Sequence, residues 1–142
     1  MRRRALLATA GAAMAGLPGC LGGLGTGGAR CGDECDVGMS TNAYLPETHE
    51  TSVGSTVVWR NTSSRAHTVT AYEGGLPDGA RYFASGGFGS ESDAREAWDT
   101  GIDGGINPGG TFEYTVEVPG TYAYFCIPHE RQGMVGTIEV TE

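Results

Sequence analysis

The stretch Tyr122–Gly136, YAYFCIPHERQGMVG, places a cysteine, a histidine and a methionine within nine residues, in the spacing C-x₂-H-x₄-M. It stands between two segments in which apolar residues recur at every second position, which predicts a loop joining two strands. A thiolate, an imidazole and a thioether form a soft ligand set that suits an ion passing between Cu(I) and Cu(II). We therefore predict that Cys126, His129 and Met134 hold a single copper ion.

A second histidine is needed to complete a trigonal plane of two imidazoles and one thiolate, and it must come from outside this loop. His67 fits, because it begins a predicted strand beside the polar turn Asn61–Arg65. The chain has three histidines in all. His49 lies on the face of Val53 in another predicted strand, with no soft residue near it in sequence, so we interpret it as structural.

Period-two patterns continue on both sides of the loop, from about residue 36 to the end of the chain. In Thr111–Val118, TFEYTVEV, apolar and polar residues alternate throughout, which predicts a half-buried strand. The other predicted strands are Asp36–Ser40, Thr48–Val53, Thr56–Arg60, His67–Tyr72, Thr121–Cys126 and Val135–Thr141. About seven short strands separated by turn signals predict an all-β fold, either a β-sandwich or a small barrel.

The segment Glu73–Gly110 interrupts this spacing, because it is long and contains eleven glycines. We predict that it is an inserted loop carrying one short helix, Ser92–Thr100, which ends at Gly101. Loops of this length in compact domains are usually functional or disordered. Aromatic residues within the segment favour the view that part of it packs.

Three stretches together resemble the small blue copper proteins of the plastocyanin type, and most closely the halocyanins, which are lipid-anchored forms from salt-loving archaea. They are WRNTSSRAHTVT, GTFEYTVEVPGTYAYFC and IPHERQGMVGTIEV, and the resemblance covers about residues 36–142. It implies a cupredoxin-like Greek-key β-sandwich that carries electrons between membrane-bound redox complexes. It also implies that His67 and His129 are equatorial ligands, that Cys126 is the thiolate ligand and that Met134 is the axial ligand.

The same resemblance implies two further roles near the metal. The ring edge of His129 is expected to reach the surface and pass the electron. Thr68 stands where plastocyanins often carry Asn, and its backbone N–H can still donate to the sulfur of Cys126. The inserted segment departs from plastocyanin, so partner contacts on that side do not transfer.

Several other functions fit the composition less well. A copper enzyme such as a nitrite reductase or multicopper oxidase needs a second, histidine-rich centre, and three histidines are too few. A binuclear purple-copper centre needs two cysteines in the loop, where this chain has one. We therefore expect an electron carrier and not an enzyme. The alternative is a copper chaperone or storage protein, although these hold Cu(I) with Met or Cys clusters. Met39, the other methionine after the leader, is expected in the core.

The first nineteen residues have the pattern of an export signal. Met1–Arg4 is basic, and Ala5–Leu17 is a thirteen-residue apolar stretch, too short to span a bilayer. The pair Arg3-Arg4 resembles a twin-arginine signal. Leu17-Pro18-Gly19-Cys20 resembles a lipobox, in which Cys20 carries lipid. Residues 20–35 are then expected to form a glycine-rich tether, followed by the copper domain at 36–142.

Cys31 and Cys35 lie at the end of this tether. With Cys20 and Cys126 assigned to lipid and copper, these two cysteines remain, and such a pair outside the cell favours a disulfide. Free thiols or a second metal site, such as zinc, remain alternatives.

The charge balance is acidic and without lysine. The formal net charge is −8, and all nine basic residues are arginines; from Cys20 onward six arginines face 17 acidic residues, a net −11. Such a surface repels nucleic acid and anionic lipid, and its composition resembles that of proteins from salt-loving archaea. We expect a monomer on the outer face of the cell membrane, anchored at Cys20, with membrane-bound redox proteins as partners.

Overall fold

Short segments form the strands of this protein, and burial alternates along the longer ones, such as those at Thr56–Asn61 and Val135–Thr141. The computed structural model describes residues 31–142, so the signal peptide, the lipidation at Cys20 and most of the tether predicted above lie outside the described residues. The described strands are β1 (Val37–Met39), β2 (Tyr44–Leu45), β3 (Thr48–Ser52), β4 (Thr56–Asn61), β5 (Thr70–Ala71), β6 (Thr111–Thr115), β7 (Gly120–Phe125) and β8 (Val135–Thr141). One α-helix, α1 (Glu91–Gly101), lies between β5 and β6.

These strands form two four-stranded sheets. The first has the order β2-β1-β4-β6, in which β1 and β4 are parallel and the other neighbours are antiparallel. The second has the order β3-β8-β7-β5, in which β3 and β8 are parallel and the other neighbours are antiparallel. In the β7–β8 pair, Phe125 lies opposite Val135. The loop that carries the C-x₂-H-x₄-M motif therefore begins and ends at the same point of the second sheet.

Large aromatic side chains fill the space between the sheets. The ring of Trp59 from β4 lies edge-on to the ring of Tyr124 from β7, with 5.3 Å between the centroids. Tyr44 from β2 meets the same ring at 4.6 Å. Edge-to-face pairs of this kind stabilise a core beyond the area they bury. Their position across the two sheets confirms the predicted all-β sandwich.

The prediction was wrong for part of the strand at His67–Tyr72, which is reduced to Thr70–Ala71. His67 instead forms an isolated bridge with Ile106, at the end of the inserted segment. Residues 67–71 are all buried, on both faces of the chain, so burial does not alternate along this segment. The two-residue strand β2 was not predicted, since so short a strand shows no detectable period.

The predicted helix is confirmed, with one correction at its end. Helix α1 begins after Ser90, whose hydroxyl accepts a hydrogen bond from the backbone N–H of Asp93 as an N-cap. Gly101 belongs to the helix and does not end it. The chain leaves the helix at Ile102, which takes a left-handed conformation with φ of 57° while its N–H bonds to the carbonyl of Trp98.

The inserted segment, Glu73–Gly110, packs on the sandwich at several points. Phe83 is buried and stacks on Tyr114 of β6, with 4.2 Å between ring centroids. The bridge between His67 and Ile106 joins the other end of the segment to the chain three residues before β5. Within residues 31–142, no helix combines the length and the apolar character needed to cross a membrane.

Candidate metal centre

Three side chains with metal-binding atoms meet beside the β7–β8 loop. The Nδ1 atoms of His67 and His129 are 3.2 Å apart, and the Sγ atom of Cys126 lies 3.6 Å and 3.5 Å from them, respectively. The ligating atoms of this group all lie within 4.8 Å of one another. His67 and Cys126 are completely buried, and His129 is 7% exposed. The structure thus brings together three of the four residues predicted to bind metal.

These separations match the size of a metal ion. The point equidistant from the two Nδ1 atoms and the Sγ atom lies about 2.0 Å from each of them. Zn²⁺, a first-row ion of comparable size, is held in proteins at metal–nitrogen distances of about 2.0–2.1 Å and metal–sulfur distances of about 2.3 Å. Two imidazoles and one thiolate form the trigonal set of a blue copper site. The residues present therefore fit copper both in spacing and in donor chemistry.

His67 is oriented by hydrogen bonds to its ring and to its backbone. Its Nε2 atom lies 2.8 Å from the hydroxyl of Ser63, so its Nδ1 atom is left facing the other two donors. The Ser63 hydroxyl donates to Oδ1 of Asn61 over 2.7 Å, which leaves it free to accept the Nε2 proton. The backbone of His67 exchanges two hydrogen bonds with Ile106, at 3.2 and 2.7 Å. Such outer partners fix the tautomer and the ring orientation of a ligating histidine.

Main-chain hydrogen bonds hold the loop residues in a fixed arrangement. A 3₁₀-helix over Ile127–Gln132 carries His129, whose N–H donates to the carbonyl of Cys126 over 3.2 Å. The N–H of Met134 donates to the carbonyl of His129, and the N–H of Cys126 donates to the carbonyl of Met134. Gly133 permits the reversal that this closure needs, with φ of 86°. Met134 is fully buried in the same apolar cluster as Cys126.

Thr68 contacts the loop through two of its groups. Its backbone N–H donates to Sγ of Cys126 over 3.3 Å, as the sequence predicted. Its hydroxyl accepts a hydrogen bond from the backbone N–H of Ile127 over 2.9 Å, which the sequence did not reveal. Thr68, which follows His67 in the chain, is therefore hydrogen-bonded to Ile127, which follows Cys126.

Substitution of Thr68 by valine is expected to lower the stability of the metal-free protein by about 1–3 kcal/mol, because the N–H of Ile127 loses its acceptor in a largely buried place. Denaturant unfolding measures the change. Thr56→Val is the matched control, since the Thr56 hydroxyl pairs with Thr115 at the surface. Equal losses for the two variants would contradict a special role for Thr68.

Burial keeps all three donors uncharged when no metal is bound. Desolvation, and to a lesser degree the nearby His129 ring, lower the pKa of His67 to about 4. Burial and the Arg65 charge also lower the pKa of His129. Burial raises the pKa of the Cys126 thiol to about 11, although the N–H of Thr68 opposes this shift. Since the metal binds the thiolate, its binding releases that proton at neutral pH.

The donor geometry agrees with the comparison to known families. The model of the copper-binding proteins of the plastocyanin/azurin family matches residues 33–141. The chain belongs to this family. Members of the plastocyanin/azurin family transfer electrons with a copper centre, and copper is accordingly the cofactor of this protein.

Individual relatives of this plastocyanin/azurin-family protein are plastocyanins and related carriers. It is 32% identical to plastocyanin from Vicia faba over 98 residues, which covers 69% of this chain and 87% of that one. It is 33% identical to the chloroplastic plastocyanin of Pisum sativum, of which it spans about half, 51%. The crystal structure of amicyanin from Paracoccus versutus matches 79% of this chain and 85% of that chain, with a TM-score of 0.51 and 21% identity. This last likeness concerns the cupredoxin fold.

The remaining predicted residues of this family member have separate places. Cys31 and Cys35 are paired as a disulfide, with 5.5 Å between their Cα atoms. His49 lies on β3, where its ring faces Asp36 at 3.9 Å, apart from the three metal-binding side chains. Cys20 lies outside the described residues. The sequence reading missed Ser63, although a hydroxyl four residues before a predicted ligand within a polar turn was a usable signal.

Proposed function

We propose that this protein is a membrane-anchored one-electron carrier of the halocyanin type. In this proposal His67, Cys126 and His129 are the equatorial ligands of a single type 1 copper ion, and Met134 is its axial ligand. The observation that carries the copper centre of this proposal is the point about 2.0 Å from each of three buried donor atoms. Hydrogen bonds within the protein hold the three donor atoms in these positions.

When bound, copper supplies a couple between Cu(I) and Cu(II). The protein holds the donors still while the charge changes. The hydrogen bond that the Nε2–H of His67 donates to Ser63 fixes the His67 ring, and the bond that the N–H of Thr68 donates fixes the sulfur of Cys126. His67 is sealed from water, whereas His129 retains a small exposed edge, which favours His129 as the point where electrons enter and leave.

The membrane anchor and the habitat rest on the sequence. The export signal, the lipobox at Cys20 and the glycine-rich tether favour a carrier held at the outer face of the cell membrane. The acidic, lysine-free composition favours a salt-loving archaeon. At molar salt the Debye length is about 3 Å, so docking to membrane-bound redox partners would depend on short-range contact near His129 and little on long-range attraction.

Redox cycling tests the carrier role against the alternative of a copper chaperone or store. The copper-loaded chain is titrated with a reductant and then an oxidant in the presence of a copper chelator, and the copper that stays bound is measured. A carrier takes up and returns one electron per copper ion and keeps its metal through repeated cycles. A chaperone would lose copper to a chelator in one oxidation state, and that result would overturn the proposal.

Met134→Leu is expected to retain copper and the charge-transfer colour while raising the reduction potential, because the axial ligand tunes the site and does not build it. Voltammetry of the wild-type and variant proteins gives the shift. Met39→Leu is the matched control, since Met39 is equally buried and lies in β1. Loss of copper from Met134→Leu would show that the thioether contributes more to binding than this proposal allows.

Cys20→Ser is expected to move the protein from the membrane fraction to the soluble fraction, because a serine cannot accept the lipid. Fractionation of cells that express each form measures the distribution. Cys31→Ser, which removes a cysteine outside the lipobox, serves as the control. If the Cys20→Ser protein stayed with the membrane, the lipoprotein assignment would be wrong.

A further inference from the structure

The beginning of the inserted segment is joined to helix α1, which lies further along the same segment, by a reciprocal pair of hydrogen bonds. The carboxylate of Glu73 accepts from the backbone N–H of Glu91 over 2.8 Å, and the carboxylate of Glu91 accepts from the N–H of Glu73 over 3.1 Å. A carboxylate at the first turn of a helix is favoured by the helix dipole. The start of α1 is therefore fixed to the end of β5, where the segment leaves the sheet.

Arg95 extends from this helix to the metal-binding loop. Its Nε donates to the carboxylate of Glu91 over 3.0 Å, and its Nη2 donates to the carboxylate of Glu130 over 2.8 Å. Its guanidinium lies over the ring of Phe125, with 4.2 Å between Cζ and the centroid. Glu130 follows His129 in the chain, and Phe125 precedes Cys126. One side chain thus contacts the neighbour of each of two metal-binding residues.

The space around this contact is otherwise open. A groove of about 480 Å³ lies between α1 and the 3₁₀-helix of the loop, lined by Trp98 and Asp99 on one side and by Pro128 and Arg131 on the other. An exposed ion pair alone contributes little. Arg95, however, combines two hydrogen bonds from one planar group with a contact to an aromatic face, a geometry that lysine cannot reproduce.

We propose that Arg95 is a positioning residue for the copper site, and that the inserted segment serves to hold the metal-binding loop through it. This inference rests on the proposed function, since it assigns a role toward the copper that His129 and Cys126 bind. Arg95 fixes Glu130 and the ring of Phe125, and through them the backbone on both sides of the loop's first turn. Loss of its contacts is expected to loosen the backbone that carries His129, although the main-chain hydrogen bonds of the loop remain.

The test compares variants of the copper-loaded full chain. Arg95→Gln removes the ion pairs and the cation, and Arg95→Lys keeps the charge without the planar fork. Arg81→Gln is the matched control, because Arg81 lies in the same segment and over an aromatic ring, that of Tyr114, at 5.5 Å. The readouts are the rate of copper release to a chelator, the charge-transfer spectrum and the unfolding of the metal-free chain.

Arg95→Gln is expected to release copper up to roughly tenfold faster than the wild type. Loss of a group bonded directly to a metal ligand typically costs about 10–100-fold in metal affinity. Arg95 contacts the residues next to two ligands and not the ligands themselves, so we expect an effect at the low end of that range. The charge-transfer bands of Arg95→Gln are expected to shift from those of the wild type. In both release rate and spectrum, Arg95→Lys should lie between the wild type and Arg95→Gln, and Arg81→Gln should match the wild type. Glu130→Gln should reproduce much of the effect, and the double variant should add little to it. If the wild type is blue and both Arg95 variants keep its spectrum and release rate, the positioning role is wrong even where their metal-free stability falls. A colourless wild type would instead overturn the proposed function.

Discussion

Substitution of Cys126 by serine is expected to abolish the blue colour of the copper-loaded protein and to reduce its affinity for copper by several orders of magnitude. The thiolate is the softest donor of the set and the source of the charge transfer. A serine hydroxyl stays protonated at neutral pH and would leave two buried imidazoles as the main ligands. Absorption spectra and bound copper per chain measure both losses.

The control for Cys126→Ser is the unfolding of the metal-free variant, which shows whether its fold is intact. Cys126 sits in the core and accepts a hydrogen bond from the N–H of Thr68, which a serine oxygen can also accept. We therefore expect metal-free Cys126→Ser to unfold cooperatively and with a stability close to that of the metal-free wild type. A variant that folds and still gives an intense blue copper form would show that Cys126 is not the thiolate ligand.

Gly136→Ala is expected to cost about 2–3 kcal/mol of stability through overpacking. A Cβ atom at Gly136 would lie 2.6 Å from both Cζ and Oη of Tyr124. That ring is fully buried between Tyr44 and Trp59, so it has little room to move. Because Gly136 lies two residues after Met134, displacement of β8 should also disturb copper binding.

Denaturant unfolding of Gly136→Ala is compared with that of Gly89→Ala. A Cβ atom at Gly89 meets nothing within 4 Å, and its backbone does not need a positive φ. The control should keep or slightly gain stability, since alanine restricts the unfolded chain. If both variants were equally stable, the close packing of Tyr124 against β8 would be refuted.

Much of the architecture could be predicted because buried and exposed residues alternate in the strands where the sequence alternates apolar and polar residues. In β8 the buried residues are Gly136, Ile138 and Val140, and in β4 they include Val57 and Trp59. The motif C-x₂-H-x₄-M is local, so its residues had to meet wherever the chain folds. Each of these features depends on neighbours in sequence.

Contacts between distant residues were less accessible. His67 could be chosen as the partner of the loop because few histidines compete, yet its bridge to Ile106 depends on how the inserted segment returns to the sandwich. The pairing of Arg95 with Glu91 follows helical spacing, whereas its bond to Glu130 does not. Such contacts depend on tertiary packing, which leaves no periodic pattern in a single sequence.

The visible absorption spectrum of the wild-type chain loaded with one equivalent of Cu(II) tests most directly whether a thiolate and two imidazoles enclose the metal. We predict an intense band in the red, from sulfur-to-copper charge transfer, that disappears on reduction and returns on oxidation. A colourless form in which Cu(II) is bound and well ordered would contradict the account.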